Sequence, residues 1–93
     1  MDKYIVFGSK LWPDCPEVEE FLSRNNIKYA YIDITASMFN LKQFFKYRDN
    51  YPAFRYAREK GLIGIPILVV NNGEEVTFKI KNYFIEKLGL PSE

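Results

Sequence analysis

The chain contains no histidine and only one cysteine, Cys15, among its 93 residues. Without histidine it can form neither a Ser–His or Cys–His catalytic dyad nor a histidine-ligated metal site. A single cysteine excludes an internal disulfide and a cysteine-cluster zinc site. We therefore expect no bound metal ion and a reducing, cytoplasmic setting.

The sequence also has little net charge and no long hydrophobic run. Its formal charge is +1, so no overall field draws the protein to nucleic acid or to an anionic membrane. The longest nearly apolar run, residues 61–70, is too short to cross a bilayer and contains Pro66. Residues 1–7 lack the apolar stretch of a secretory signal. We expect neither nucleic acid nor a membrane as a partner.

The composition that is present is typical of a globular protein, with 47% hydrophobic and 27% charged residues. The aromatic fraction of 17% is high for a small chain and favours a core built from phenylalanine and tyrosine. The length predicts a single domain over residues 1–93.

Hydrophobic periodicity predicts the element order β-α-β-α-(α)-β-β-α. The predicted strands cover residues 3–7, 27–34, 65–70 and 74–80. The predicted helices begin near Asp14, at Leu41, after Pro52 and at Lys81. Asp14 and Glu17 have the spacing of a capping box at the start of the first helix.

The predicted order also indicates how the strands pair. Two strands joined by a helix form a parallel βαβ unit, whereas the Asn71-Asn72-Gly73 turn predicts an antiparallel hairpin. The fold class is therefore α/β, with a four-stranded mixed sheet flanked by helices. Three residues are expected on one face of the last strand and three on the inner face of the last helix: Val76, Phe78 and Ile80, then Tyr83, Phe84 and Leu88.

This order, with a cysteine at the first strand–helix junction and an Ile-Pro pair opening the third strand, resembles the thioredoxin fold. More closely, the chain resembles glutaredoxin-related proteins of that superfamily. Four segments carry the resemblance: Phe7-Gly8-Ser9 with Trp12-Pro13-Asp14-Cys15-Pro16, Tyr31-Ile32-Asp33-Ile34-Thr35, Arg48-Asp49 before Tyr51-Pro52, and Gly64-Ile65-Pro66.

The resemblance implies thiol–disulfide exchange linked to glutathione, with electron transport and redox homeostasis as the cellular role. It places Trp12 at the position of the attacking cysteine and Cys15 at that of the resolving cysteine. It places Ile65 and Pro66 at the cis-proline site, and Lys10, Pro13 and Asp14 among the binding positions. The implied cofactor is glutathione, the implied partner is glutathione or a protein bearing a thiol or disulfide, and the implied state is a monomer.

The sequence departs from that family at its most reactive position. An indole has no atom comparable in nucleophilicity with a thiolate, so Trp12 cannot attack a disulfide. Cys15 lies about one helical turn further in, and Asp14 and Glu17 are expected to raise its pKa. A family segment that holds glutathione, usually Gly-Gly followed by an acidic residue, is replaced by residues 79–82. We expect little or no dithiol oxidoreductase activity.

Two origins of Trp12 fit the sequence: a natural protein that kept the scaffold without the reaction, or a substitution in this chain, since Cys and Trp codons differ by a single base. Alternative roles of Cys15 and of the whole chain also remain open. Cys15 is a small packed residue or a redox group, and it could link two chains if its sulfur were accessible. The chain could instead be a non-catalytic binding module for a peptide or protein partner.

The segment 42–60 carries six basic residues against two acidic ones, a local net charge of +4. With aromatic residues between the charges, it could bind nucleic acid. The favoured interpretation is a solvated helical face with its rings turned inward, because base stacking requires exposed rings. The same segment could attract glutathione carboxylates or an acidic partner protein.

Overall fold

The computed structural model describes residues 2–91. These residues form four strands and four α-helices, with one 3₁₀ turn before the third helix. They are β1 (Tyr4–Gly8), α1 (Cys15–Arg24), β2 (Ala30–Asp33), α2 (Met38–Arg48), the 3₁₀ turn (Pro52–Phe54), α3 (Arg55–Lys60), β3 (Ile67–Val70), β4 (Glu75–Thr77) and α4 (Ile80–Leu88). The predicted element order is confirmed.

The strands form one mixed sheet in the order β2-β1-β3-β4. β1 pairs with β2 in parallel, and β3 pairs with both β1 and β4 antiparallel. The α/β class and the four-stranded mixed sheet are therefore confirmed. Because β1 lies in the centre, the loop that follows Gly8 emerges in the middle of one sheet edge.

Helices cover both faces of the sheet, and the alternation along β1 divides the core between them. Phe7 packs with Phe44 and Phe54 from α2 and the 3₁₀ turn on one face. Val6 packs on the other face with Phe21 from α1 and Phe84 from α4. Phenylalanine thus supplies the largest buried side chains of both layers, as predicted. The tyrosines expected beside it are at most partly buried, so that part of the prediction is wrong.

The predicted start of α2 is wrong by three residues. The helix begins at Met38 rather than Leu41, because Ser37 is its N-cap and its side chain accepts a hydrogen bond from Asn40 N at 3.1 Å. The capping box at α1 is also wrong. The Asp14 side chain makes no capping hydrogen bond, and no hydrogen bond joins it to Glu17, whose carboxylate pairs with Lys81 at 2.6 Å.

The hairpin turn is confirmed, since Asn71 and Asn72 both have positive φ and Gly73 N donates to Val70 O at 3.1 Å. All three later strands are shorter than predicted. β2, β3 and β4 cover residues 30–33, 67–70 and 75–77 instead of 27–34, 65–70 and 74–80.

The inward residues predicted for the last hairpin and helix are partly wrong. Phe84 is buried, but Leu88 is 50% exposed, and Leu90 packs against the core in its place. Ile80 is buried on the α1–α4 face because it begins α4 rather than ending the strand. Phe78, expected beside it, lies outside the strand and is 41% exposed.

Candidate functional site

Ser9 organises the loop that connects β1 to α1. This residue is buried, and its carbonyl accepts a hydrogen bond from Trp12 N at 3.0 Å. Its hydroxyl accepts from Leu11 N at 3.1 Å. Cys15, the first residue of α1, donates its N–H to Trp12 O at 3.3 Å. The loop is therefore a pair of successive turns that fix Trp12 relative to the helix.

A polar chain ties this loop to the end of β2. The Thr35 hydroxyl donates to the Asp33 carboxylate at 2.5 Å, and Thr35 N donates to the same oxygen at 2.8 Å. Since the Thr35 proton is used in this way, the Ser9 hydroxyl, 2.9 Å away, donates to Thr35 Oγ1. The Thr35 hydrogen bonds also hold the pKa of Asp33 below its ordinary value, so Asp33 anchors the chain as a carboxylate.

The Cys15 side chain is packed beneath this loop and is 1% exposed. Burial raises the pKa of the Cys15 thiol, and the charges of Glu19 and Asp14 raise it further. The Ser9 N–H, 3.4 Å from the sulfur, opposes that shift. The expected direction of the pKa shift is confirmed, although Glu19, not Glu17, acts with Asp14. Such a sulfur does not meet the accessibility that a Cys15-linked dimer requires.

Gly8 makes room for two side chains that converge on the end of β1. A Cβ on Gly8 would lie 2.9 Å from the Tyr31 hydroxyl oxygen and 3.0 Å from the Cys15 sulfur. The Tyr31 oxygen is buried and has no well-formed hydrogen bond to any of residues 2–91. Burial is also the main cause that raises the pKa of Tyr31 above its ordinary value, so the phenol stays neutral.

An apolar groove of about 590 Å³ opens above this packed layer, and we call it the Trp12 groove. Its walls include Trp12, Asp14, Tyr56, Leu62, Ile65 and Phe78. Trp12 is 37% exposed, so its indole forms part of the groove surface and Cys15 does not. The peptide bond between Ile65 and Pro66 is cis, as the resemblance predicts.

Arg48 holds the segment that leads to Ile65, and Arg58 in turn ties the end of α2 to Tyr51. Arg48 donates from Nε to Ile63 O at 2.9 Å and from Nη2 to Leu62 O at 2.5 Å. Arg58 donates to the carbonyl oxygens of Arg48 and Tyr51 at 2.7 and 2.9 Å. Although Arg48 binds the carbonyl oxygens of Leu62 and Ile63, the side chains of these two residues remain 50% and 42% exposed.

The structure brings some of the predicted site residues together and leaves others apart. Trp12, Asp14 and Ile65 line one groove. Lys10, Pro13 and Pro66 are not among its lining residues, although Pro13 and Pro66 each adjoin one. Lys10 is directed toward the end of β2, where its amide lies 3.5 Å from the Asp33 carboxylate.

Apart from Ile65, sequence reasoning missed the groove residues from α3 onward. Tyr56 was expected to face inward with the other rings of segment 42–60, but it is 65% exposed, and Phe45 is 40% exposed. The expectation of inward rings is therefore wrong at these two positions. One available signal was the nearly apolar run of residues 61–70, which begins four residues before the predicted strand at residue 65.

The groove residues fit glutathione poorly. Glutathione carries two carboxylates, but the described residues place no lysine or arginine in the groove lining, and Asp14 adds a carboxylate of its own. The lining favours an extended apolar chain. Residues 2–91 hold no group of three or more His, Cys, Asp and Glu side chains that could bind a metal ion. Within the same residues, every helix is too short or too polar to cross a bilayer.

The sheet order, the buried cysteine at the start of α1 and the cis-proline before β3 define a thioredoxin-fold protein. Solved structures share this fold: the thioredoxin-like protein BC3987 has a TM-score of 0.62 and 22% identity, covering 92% of this chain and 99% of that one. A threonine-to-alanine mutant of that protein has a TM-score of 0.60 and 23% identity, covering 92% and 97%.

A protein with a similar sequence shows which family the chain belongs to. The chain is 36% identical over 76 residues to an uncharacterized protein of Haemophilus influenzae, covering 82% of this chain and 88% of that protein. The chain belongs to the same family as this protein. No protein-family model matches the sequence.

Proposed function

We propose that this chain is a glutaredoxin-like, thioredoxin-fold protein that binds an extended apolar peptide segment of a thiol- or disulfide-bearing partner in the Trp12 groove. As the chain stands, it does not exchange disulfides. The observation that carries the proposal is that Trp12 and Ile65 line one groove, whereas the Cys15 side chain is buried and does not line it.

The absence of exchange follows from the chemistry of two positions. Exchange requires a thiolate that attacks one disulfide sulfur and releases the other as a thiolate. The Trp12 indole supplies no such atom, and Cys15 is buried with a raised pKa. Without an attacking atom at Trp12 and with an unreactive thiol at Cys15, the groove binds a ligand but does not exchange its disulfide. The sequence predicts a reducing setting for this binding.

The groove chemistry supports a peptide rather than glutathione. The aromatic walls, Trp12 and Phe78, supply large apolar contact areas of the kind that anchor protein ligands. Ile65 precedes the first sheet residue of β3, Ile67, so its backbone lies outside the strand ladder. A bound chain could pair there as an added extended segment.

The test is a pair of titrations followed by amide chemical shifts of the uniformly labelled protein. One ligand is reduced glutathione. The other is the blocked pentapeptide acetyl-Ala-Val-Ser-Leu-Ala-amide, in which serine replaces a cysteine so that no covalent bond forms. We expect the peptide to shift the amides of Trp12, Ile65 and Phe78, and glutathione to leave them unchanged.

The matched control for the peptide titration is the Leu88→Gln variant, which changes an exposed leucine on α4 that does not line the groove. It should respond to the peptide as the parent does, whereas Phe78→Gln should lose most of the response. The proposal would be overturned if glutathione shifted these amides and the peptide did not. It would also be overturned if neither ligand shifted them.

A further inference from the structure

A second apolar groove lies on the other side of residues 61–63, between that segment and α2, and we call it the α2 groove. Its volume is about 750 Å³, larger than that of the Trp12 groove. Its main walls are Met38, Leu41, Phe45, Arg48, Leu62 and Ile63. The two grooves share only residues 61–63.

The walls of this groove expose large apolar side chains to solvent. Met38 is 77% exposed, and Phe45 and Leu62 are both at least 40% exposed. Leu41 and Phe45 are four residues apart, so they lie one turn from each other on the same helix face. Contiguous exposed apolar surface of this kind is typical of a binding site.

Two lysines of α2 lie next to residues that line the α2 groove, although they do not line it themselves. Lys42 and Lys46 follow Met38 at four-residue intervals, so the three side chains form one ridge along α2, beside the ridge of Leu41 and Phe45. Neither lysine forms an ion pair with any side chain of residues 2–91.

Among residues 2–91, no aspartate or glutamate lines the groove, and the charge of Arg48 in its wall is paired with that of Asp49. Asp49, next to α2, is 3.9 Å from Arg48 and so is already opposed by a positive charge. Since the whole chain carries only +1, the positive field is local to this surface.

We propose that the α2 groove docks an acidic, amphipathic helical segment of a partner protein. The apolar face of that segment fills the space between Leu41, Phe45 and Leu62, and its carboxylates face Lys42 and Lys46. The mode is that of a helix in a groove, in which apolar residues at four-residue spacing anchor the ligand and charge selects it.

The probes are two fluorescein-labelled 14-residue helical peptides with leucines at the same four-residue spacing. One peptide has glutamate at its polar positions and the other has lysine. Fluorescence anisotropy at low salt should give the glutamate peptide at least a tenfold lower Kd than the lysine peptide. Amide shifts should concentrate on α2 and residues 61–63.

Three variants separate groove binding from general charge attraction. Met38→Gln combined with Phe45→Gln keeps every charge and should raise the Kd of the glutamate peptide at least tenfold. Phe39→Gln is the matched control, because Phe39 is an exposed ring of the same helix that does not line the groove, and it should change Kd less than twofold. Lys42→Glu combined with Lys46→Glu should reverse the preference between the peptides.

Equal affinity for the two peptides would overturn the proposal, as would the absence of binding. It would also fail if Phe39→Gln weakened binding as much as the double glutamine variant, or if the shifts fell on Trp12 and Phe78 instead. The function proposed for the Trp12 groove is tested separately, by the response of Trp12, Ile65 and Phe78 to the blocked pentapeptide, so the two proposals can fail independently.

Discussion

The backbone N–H of Ser9 donates a hydrogen bond to the sulfur of Cys15 across 3.4 Å, from a residue that is itself buried. The contact joins the end of β1 to the first residue of α1, so it fixes the sulfur beneath the loop that carries Trp12. A hydrogen bond from an N–H favours the thiolate, but burial opposes it more strongly. The cysteine is therefore a neutral packed thiol.

We predict that Cys15 reacts slowly with iodoacetamide in the native state. At pH 8 its rate should be at least about tenfold below that of the urea-unfolded chain, since the sulfur is 1% exposed and burial raises the pKa of its thiol. Mass spectrometry of timed samples measures both rates. Equal rates would show that the sulfur is accessible and contradict the burial seen here.

The same pKa shift predicts a decline of stability at alkaline pH. Below the pKa of about 8.5 of the unfolded thiol, both states are protonated and the contribution of Cys15 is fully present. As the pH rises from there toward the higher pKa of the folded state, the unfolded chain loses its proton first and the free energy of unfolding falls. Urea titrations from pH 7 to pH 10 should show a steeper decline in the parent than in Cys15→Ala. Parallel curves would mean that the folded thiol has an ordinary pKa.

A third prediction concerns Tyr31 and Gly8. Tyr31→Phe should stabilise the fold by about 1 kcal/mol, because it removes a buried hydroxyl that lacks a well-formed hydrogen bond. Gly8→Ala should destabilise it by about 2 kcal/mol, because the added methyl meets that oxygen and the Cys15 sulfur. In the Tyr31→Phe background the cost of Gly8→Ala should be smaller. Chemical denaturation measures all four chains, and a loss of stability in Tyr31→Phe would contradict the account.

We predict that Arg48 stabilises residues 61–63, the segment that separates the two grooves. Arg48→Ala removes the hydrogen bonds to Leu62 O and Ile63 O and should cost about 2 kcal/mol, because charged hydrogen bonds of this kind are strong. It should also speed amide hydrogen exchange at Ile63 and Gly64. Arg55→Ala is the control, since its ion pair with Glu59 is exposed and is worth at most about 1 kcal/mol. Equal effects of the two changes would argue against the positioning role.

The fold was predictable because its signals are local and consistent. The strand–helix–strand order and the Asn71-Asn72 turn each follow from short-range chemistry, and the structure agrees with both. The start of α2 was missed because Leu41 is the first strongly periodic residue, whereas Ser37 caps a turn whose side chains are exposed.

The site was less accessible to sequence reasoning. The resemblance indicated Trp12, Cys15 and Ile65, but the resemblance says nothing of a wall made by Phe78 from the other end of the chain. That contact depends on where a short strand ends, which periodicity does not determine. The 40% exposure of Phe45 likewise depends on how the rest of residues 2–91 packs, which periodicity along α2 does not determine.

The most direct test of the central claim, that the Trp12 groove is an exchange site without its attacking atom, is disulfide reductase activity after Trp12→Cys. The new thiolate would attack a substrate disulfide, Cys15 would displace the reduced substrate, and dithiothreitol would reduce the resulting bond. Insulin reduction should rise at least about tenfold over the parent. Trp12→Ser should show no gain, and Trp12→Cys combined with Cys15→Ser should lose most of it. No gain in the Trp12→Cys variant, with its fold confirmed by circular dichroism, would contradict the account.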